Sequence, residues 1–428
     1  MKLPERWKSD FLGNIAKWGS GGTPKKSHSE YYDGEIKWAI IGDLNGSTLN
    51  ETKNKITKMG LENSSVKLIP TNTLLIGMYG SIGKTAITGC EMCTNQAIAF
   101  AIPKKDMVDL YFLKYFIEIN VGEFFKLSKG GTQKNISQEV LKKFKIPIPT
   151  IKEQKLIVQE IEKQFSRLDE SVNSLKSLKE KLQIYRKSVL KAAFEGHFTN
   201  NKVQRVKVNI NGCEVTIPKT WYVNKLGEYI KLQGGFAFKS KEYSNTGIPI
   251  VKISNVNYGN IDWTDKTFID SSRYAEFKDF QLKKDDILIA MTRPIIKSLN
   301  SVKTVKVKEK DLPALLNQRV GRFIIKKTIT KRYLQNFIYT EFFRLRVLNE
   351  SSSSQQPNIS SKKIENFDLI VPSSEKEQHL ICDEIESRFS VIDKLEETVE
   401  KSLEKTEKLR KSILKSAFEG KLVKYEAG

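Results

Sequence analysis

The residue string most suggestive of chemistry is GMYGSIGKT, Gly77 to Thr85, which approaches a phosphate-binding loop. Such a loop needs a glycine, four residues and then Gly-Lys-Thr, so that successive backbone amides cradle a triphosphate. Counting back from Gly83-Lys84-Thr85 puts the first glycine at position 78, which is Met78. The stretch therefore reads as a tight strand-turn-strand that presents Ser81 and Lys84 to a partner. Cys90 and Cys93 have redox or zinc spacing, but no second pair exists and the histidines are only His28, His197 and His379, so no metal is expected. A methyltransferase of base amino groups needs a glycine-rich cofactor loop and a short Asp/Asn-Pro-Pro-aromatic string, and neither is present. No carboxylates cluster with a strand lysine as a nuclease requires, and Asp285-Asp286 reads as a turn into a strand. Catalysis by this chain alone is not expected.

Its loops suit nucleic acid better. Gly21, Gly22, Thr23, Lys25 and Lys26 lie in a glycine-rich loop expected to expose backbone amides beside two lysines, and Gly235 and Lys239 keep the pattern after Gln233. A second matched pair of polar loops holds Lys129, Gly131, Thr132, Gln133 and Lys134 in one instance and Gln355 and Gln356 in the other. Arg293 and Lys297 complete the candidate set. Arg or Lys can grip guanine and Asn or Gln can grip adenine, each pair through two hydrogen bonds, which is the chemistry of groove reading. Asn95-Gln96 and Asn317-Gln318, which begin matched strands, read as fold-keeping.

The elements that must position these loops come twice. KSVLKAAFEG (Lys187 to Gly196) returns as KSILKSAFEG (Lys411 to Gly420), 224 residues on, and Glu153-Gln154 returns as Glu377-Gln378 at the same shift. Each decapeptide closes a stretch without Pro or Gly whose apolar residues recur every seven: Ile161, Leu168, Leu175, Leu182 and Val189, then Ile385, Ile392, Val399 and Ile413, with Thr406 the one polar seam position. This period predicts two long coiled-coil helices that pack on each other, with Phe165, Val172 and Leu178, and Phe389, Leu395, Leu403 and Leu409, filling neighbouring positions. Upstream of each helix lies a variable part of mixed α+β character. In the first, strands are expected at Ile36 to Ile41, Thr73 to Met78 and Gln96 to Pro103, then a helix from Leu110 to Leu127. In the second, strands are expected at Pro249 to Ile253, Asp286 to Met291 and Gln318 to Ile325, then a helix near Tyr333 to Leu348. The boundaries read as a first variable domain at 1–149, a helix at 150–196, a linker at 197–215, a second variable domain at 216–372 and a second helix at 373–421.

The formal charge of +22 is unevenly placed. Ile151 to Glu195 carries 10 Lys/Arg against 7 Asp/Glu, and Glu375 to Glu419 carries 9 against 12, so the helices cancel and the whole excess falls on the variable parts. A localised excess of this size points to a polyanion, and the absence of a basic amphipathic helix argues against a membrane surface. The opening MKLPERWKSDF lacks an apolar signal core, no run approaches the roughly 20 apolar residues of a membrane span, and four cysteines are too few for a disulfide framework. The cytoplasm is the expected location.

Each half opens with P-x-x-W and L-G (Pro4, Trp7, Leu12-Gly13; Pro218, Trp221, Leu226-Gly227). Each then ends in IPIP (Ile146 to Pro149) or IVP (Ile370 to Pro372) before the Glu-Gln pair and the long helix. This order, duplicated across essentially the whole chain, resembles the specificity subunit of type I restriction-modification systems. The resemblance implies an α+β fold of two target-recognition domains separated by two long antiparallel helices with pseudo-twofold symmetry. It implies that each domain reads one half of a split, asymmetric site in double-stranded DNA. The partners implied are two methyltransferase subunits using S-adenosylmethionine on adenine, and restriction subunits that use ATP and Mg to translocate and cut; this chain itself is expected to bind no cofactor. A methylation-only system would use the same recognition physics, and a coiled-coil scaffold that reads no DNA is the alternative of a different class.

Overall fold

The computed structural model describes residues 4–129, 134–199, 203–296, 298, 301–351 and 356–424. The chain forms two compact units, one of residues 1–176 with 400–428 and one of residues 177–399. Both long helices, Ile151–Phe194 and Glu375–Phe418, contribute to both units.

In unit 1 a five-stranded sheet runs in the order Thr48–Leu49, Thr85–Thr88, Leu74–Gly77, Ile98–Pro103, Ala16–Ser20. Leu74–Gly77 and Thr85–Thr88 are buried throughout, which is why they read as apolar runs without alternation. A second, three-stranded sheet holds Asn54–Ile56, Tyr32–Ala39 and Cys93–Thr94, the last pair parallel. Unit 2 repeats the scheme with Ile230–Gly234, Val320–Ile325, Ile287–Ala290 and Thr304–Lys306 in one sheet and Phe268–Ile269, Ile248–Val251 and Leu315–Leu316 in another, again with one parallel pair. The helix expected from Leu110 to Leu127 is two, Leu110–Ile119 and Val121–Leu127, broken at Asn120, whose side chain donates to the Phe116 carbonyl. Its counterpart is likewise two, Lys331–Ile338 and Glu341–Glu350, because the Thr340 hydroxyl accepts from the Phe343 amide and caps a new start.

The segment read as a linker instead carries most of a hairpin, Arg205–Ile210 with Cys213–Pro218. Asn211 (φ 53°) and Gly212 (φ 91°) form its two-residue turn, in the left-handed geometry that matches strand twist.

The seam residues Ile161, Leu182, Val189, Ile385, Ile392, Val399 and Ile413 are buried, and Leu168 and Leu175 are half-buried. Leu178, Leu395 and Leu409, expected beside the seam, are exposed: a 3.6-residue helix drifts away from a strict seven-residue repeat, and these positions fall outside the covered stripe. Within each unit the helices run antiparallel. In unit 1 Arg410 binds Asp169 and its guanidinium lies 4.7 Å over the Phe165 ring. In unit 2 Arg186 binds Asp393 at 2.5 Å and lies 4.5 Å over Phe389. Shifting the first set by 224 gives the second with the helices exchanged, as a duplicated pair requires.

The helix ends plug the domain cores. Phe418 packs against Phe112 and Phe116, and Phe194 against Tyr333 and Phe337. Gly420 and Gly196, at φ 70° and 77°, let the chain turn close against Pro4 and Pro218 respectively, where a Cβ would lie 2.4 and 2.6 Å from the ring. Thus the KS(V/I)LKxAFEG string and the P-x-x-W string are two halves of one contact. The Glu-Gln pair fastens the other helix start. Glu153 accepts from Trp7 Nε1 at 3.0 Å and Arg6 Nη2 at 2.6 Å, while Gln154 bridges the Asp109 amide and the Met107 carbonyl. Gln378 repeats this at the Thr330 amide and the Thr328 carbonyl. Among the described residues no helix is long and apolar enough to cross a membrane.

Candidate nucleic-acid interface

Strand register decides where the candidate loops meet. Ser20 pairs with Ala99, and Gly77 pairs with Ile98, so the loop after Ser20, the turn after Gly77 and the approach to Ile98 leave the sheet at one end. The Tyr79–Asn135 bridge and the bond from the Gly80 amide to the Lys134 carbonyl (3.1 Å) bring the second polar loop to the same end. Ser81, Lys84, Lys129 and Lys134 are thereby gathered, and Lys25 and Lys26 lie exposed on the loop that leaves this end of the sheet. Gly131, Thr132 and Gln133 fall outside the described residues.

The turn Gly77 to Lys84 joins two strands, not a strand and a helix. Gly83 (φ 77°) presses on Val121, and Thr85 donates to Glu118 at 2.7 Å, so this geometry holds no triphosphate nest. Gly21 and Gly22 correct another expectation: their amides donate to the carbonyls of Ile98 and Thr94, and a Cβ at Gly21 would sit 2.0 Å from the Thr94 carbonyl oxygen. These glycines are required by close backbone packing, and their amides are not available to a phosphate. Thr23 bonds the exposed Gln96 side chain, while Asn95 accepts from the Ala97 amide, so of that pair only the asparagine keeps the fold.

Unit 2 builds the same edge. Gly234 pairs with Gly321 and Ala290 with Val320, so the loops carrying Gly235, Arg293 and Asn317 to Arg319 leave one end of the sheet. The Arg293 amide donates to the Pro357 carbonyl at 2.6 Å, tying this turn to the loop of Gln356. Arg293 is exposed and has φ 48°, at the position where unit 1 has Gly80 at φ 64°. A left-handed non-glycine residue is uncommon, so the arginine here bears backbone strain that the glycine of the sister repeat does not. Gly235 packs on the Leu316 carbonyl, as Gly21 does in its own unit. Lys239 is exposed; Lys297 and Gln355 fall outside the described residues. Sequence reasoning missed Arg319, which is exposed and donates to Thr292 at 3.4 Å beside Arg293; its place directly after the matched Asn317-Gln318 was the available signal.

The two arginines that bridge the helices are charge-matched, while the described edge cations are not. Among the described residues Lys25, Lys26, Lys84, Lys129, Lys134, Lys239 and Arg293 make no ion pair, whereas Arg186 and Arg410 on the helices are matched to carboxylates. Among the described residues no group of His, Cys, Asp and Glu could hold a metal. Burial pushes the Cys93 thiol up to about 11, the behaviour of a core residue and not of a ligand or redox thiolate.

Two sheet-edge loop clusters on a duplicated α+β framework with shared helices define a class of DNA-specificity protein. Residues 4–183 and 218–405 match the sequence model of the type I restriction modification DNA specificity domain. The MjaVIII specificity subunit of Methanocaldococcus jannaschii is 26% identical, covering 99% of this chain and 94% of that protein. The EcoKI specificity subunit of Escherichia coli is 24% identical, over 98% and 90%. A chain from a structure of type I R-M complex assembly and conformational transition shares the fold, with a TM-score of 0.71 at 15% identity, over 98% of this chain and 100% of that one. The chain belongs to the type I restriction modification DNA specificity domain family: it is a specificity subunit, built from two copies of the domain, and not a catalytic one.

Proposed function

We propose that each unit reads one half of a split, asymmetric target in double-stranded DNA, and that the chain directs two methyltransferase subunits and the restriction subunits to that target. On this reading S-adenosylmethionine, ATP and Mg are bound by those partners, and the chain contributes sequence recognition alone. The observation that carries it is the gathering of cations at one end of each sheet: Lys84, Lys129 and Lys134 in unit 1 and Arg293 with Arg319 in unit 2, beside Gln96 and Gln356, are residue types able to reach phosphates and base edges. Lys25, Lys26, Lys84, Lys129, Lys134 and Lys239 supply phosphate contacts in this scheme, and Arg293 with Arg319 supplies readout in the second half-site. A gel shift of the full chain on duplex DNA from 50 to 200 mM salt tests it, with affinity expected to fall steeply as salt rises. Salt-independent binding, or none, refutes it. Exchanging residues 1–148 for those of a relative should change one half of the methylated target and leave the other intact.

A further inference from the structure

One groove in unit 1 has a counterpart in unit 2 that is filled. The groove measures about 610 Å³, with a floor of Phe116, Phe144, Pro147 and Phe418. Its rim carries Lys145, Lys408 and Lys411 without an ion pair among the described residues, Lys415 paired with Glu419 at 3.9 Å, and one carboxylate, Glu123, which is paired with Lys126 at 2.8 Å. Shared contacts fix the equivalent positions. The Phe144 carbonyl accepts from Leu12 as that of Phe367 accepts from Leu226, Phe116 meets Phe418 as Phe337 meets Phe194, and Lys145 pairs with Phe11 across two strands as Asp368 pairs with Lys225.

In unit 2 this place is covered by the hairpin Arg205–Ile210 and Cys213–Pro218. Ile210, Val215 and Ile217 join the core that holds Phe194, Phe337 and Phe367. Asn211 makes three bonds with Asp368, at 2.8, 2.9 and 3.2 Å. The Cys213 thiol is raised by burial and feels the charges of Glu341, Arg344 and Lys191, the counterparts of Asn120, Glu123 and Lys415. The covering shows in the floor: Phe367 is 0% and Thr340 1% exposed, whereas Phe144 and Ile119 at the matching positions are half-buried. Among the described residues of unit 1 no segment stands in the hairpin's place.

We propose that this groove docks one segment of a partner protein, a hairpin or extended strand that is apolar on its inner face and acidic at its rim. The shape argument is the protein hairpin seated on the counterpart. The sign follows from the rim, where Lys145 replaces Asp368 and Lys408 replaces Ile184, so a carboxylate meets cations at the position where Asn211 met an anion. A second copy's hairpin is the wrong occupant, since Arg205 and Lys207 outnumber Glu214 and would face four lysines. The site is single per chain because the chain fills its sister.

The test uses the full chain and a synthetic cyclised peptide of residues 205–218 carrying Arg205→Glu, Lys207→Glu and Asn211→Asp. Fluorescence anisotropy should give one peptide per chain, bound at least tenfold tighter than the unaltered hairpin. Lys145→Glu with Lys411→Glu, both exposed, should erase that preference, and Ile119→Glu should abolish binding. In the Glu123→Cys chain, with diamide added as the two-electron oxidant, the peptide's Cys213 should form a disulfide at position 123, found by mass spectrometry. Equal binding of both hairpins, two peptides per chain, or no crosslink at 123 would overturn the proposal. So would a loss of duplex DNA binding in the Lys145→Glu, Lys411→Glu chain, which would assign the groove to nucleic acid.

Discussion

Replacing Arg293 by glycine should make the protein more stable and worse at its task. The residue sits at φ 48° where the sister turn has Gly80 at φ 64°, with its amide bound to Pro357 as that of Gly80 is bound to Lys134. Left-handed backbone costs a side-chain-bearing residue about 1–2 kcal/mol. The freer unfolded chain of a glycine variant takes back about 0.5–1 kcal/mol. The net gain for Arg293→Gly is therefore about 1 kcal/mol, or roughly 2–4 °C in the melting of a unit of this size. Arg293→Ala keeps the strain without the guanidinium and should melt within a degree or so of the parent. If the arginine reads a base, both variants lose about 1–3 kcal/mol of discrimination, and methylation mapping in the assembled complex should show relaxed specificity at one position of one half-site. If instead it grips a phosphate, affinity should fall uniformly across sequences and the salt slope should drop by about 0.9. Calorimetry on the three proteins, with gel shifts across salt, separates these outcomes. A glycine variant that melts lower than the parent refutes the strain argument, and one that melts higher while keeping full affinity and specificity refutes the role of the side chain.

Alanine at Lys84, Lys129 and Lys134 together should flatten the salt slope by about 2.7 and spare stability, because Lys84 and Lys129 are exposed, Lys134 is half-buried and none makes an ion pair among the described residues; an unchanged slope removes this edge from the phosphate path. Gln154→Ala leaves the Asp109 amide and the Met107 and Pro149 carbonyls without their partner, so chemical denaturation should show a loss of about 3 kcal/mol in unit 1, and a loss below about 1 kcal/mol would show that this side chain is not the fastener it looks to be. In unit 2 the Glu377 Oε2 atom is buried without a hydrogen bond and Thr220 occupies the position of Arg6, so Thr220→Arg should add about 1 kcal/mol and raise the melting temperature, whereas a lower melting temperature would mean that the two clamps are not equivalent.

What could be read from the residues alone was whatever the duplication repeats. The helices, the P-x-x-W string and the Glu-Gln pair were legible because the same contact is made twice, once in each unit, and selection for one geometry leaves one spelling. The hairpin at Arg205 to Pro218 is equally legible: Asn211-Gly212 between V-K-V-N-I and C-E-V-T-I is a strong short-range hairpin signal. The break at Asn120 was not legible, since Val121 to Leu127 continues an apolar period and only a local carbonyl bond ends the first helix. Gly21 and Gly22 misled because a glycine needed for close packing is spelled like one needed for an exposed amide.

The edge itself could not be read, for a topological reason. Lys84 and Lys134 are fifty positions apart and come to the same end of the sheet because a bridge from Tyr79 to Asn135 closes over the end of a sheet whose strand order is not the chain order. A single sequence carries no record of that closure, only the basic loops that take part in it. On the proposed function Arg293 reads the target from a structural turn, so its backbone answers to the sheet and its side chain to the DNA. Where those two demands meet, stability and specificity are set against each other, and Arg293→Gly is the substitution that exchanges one for the other.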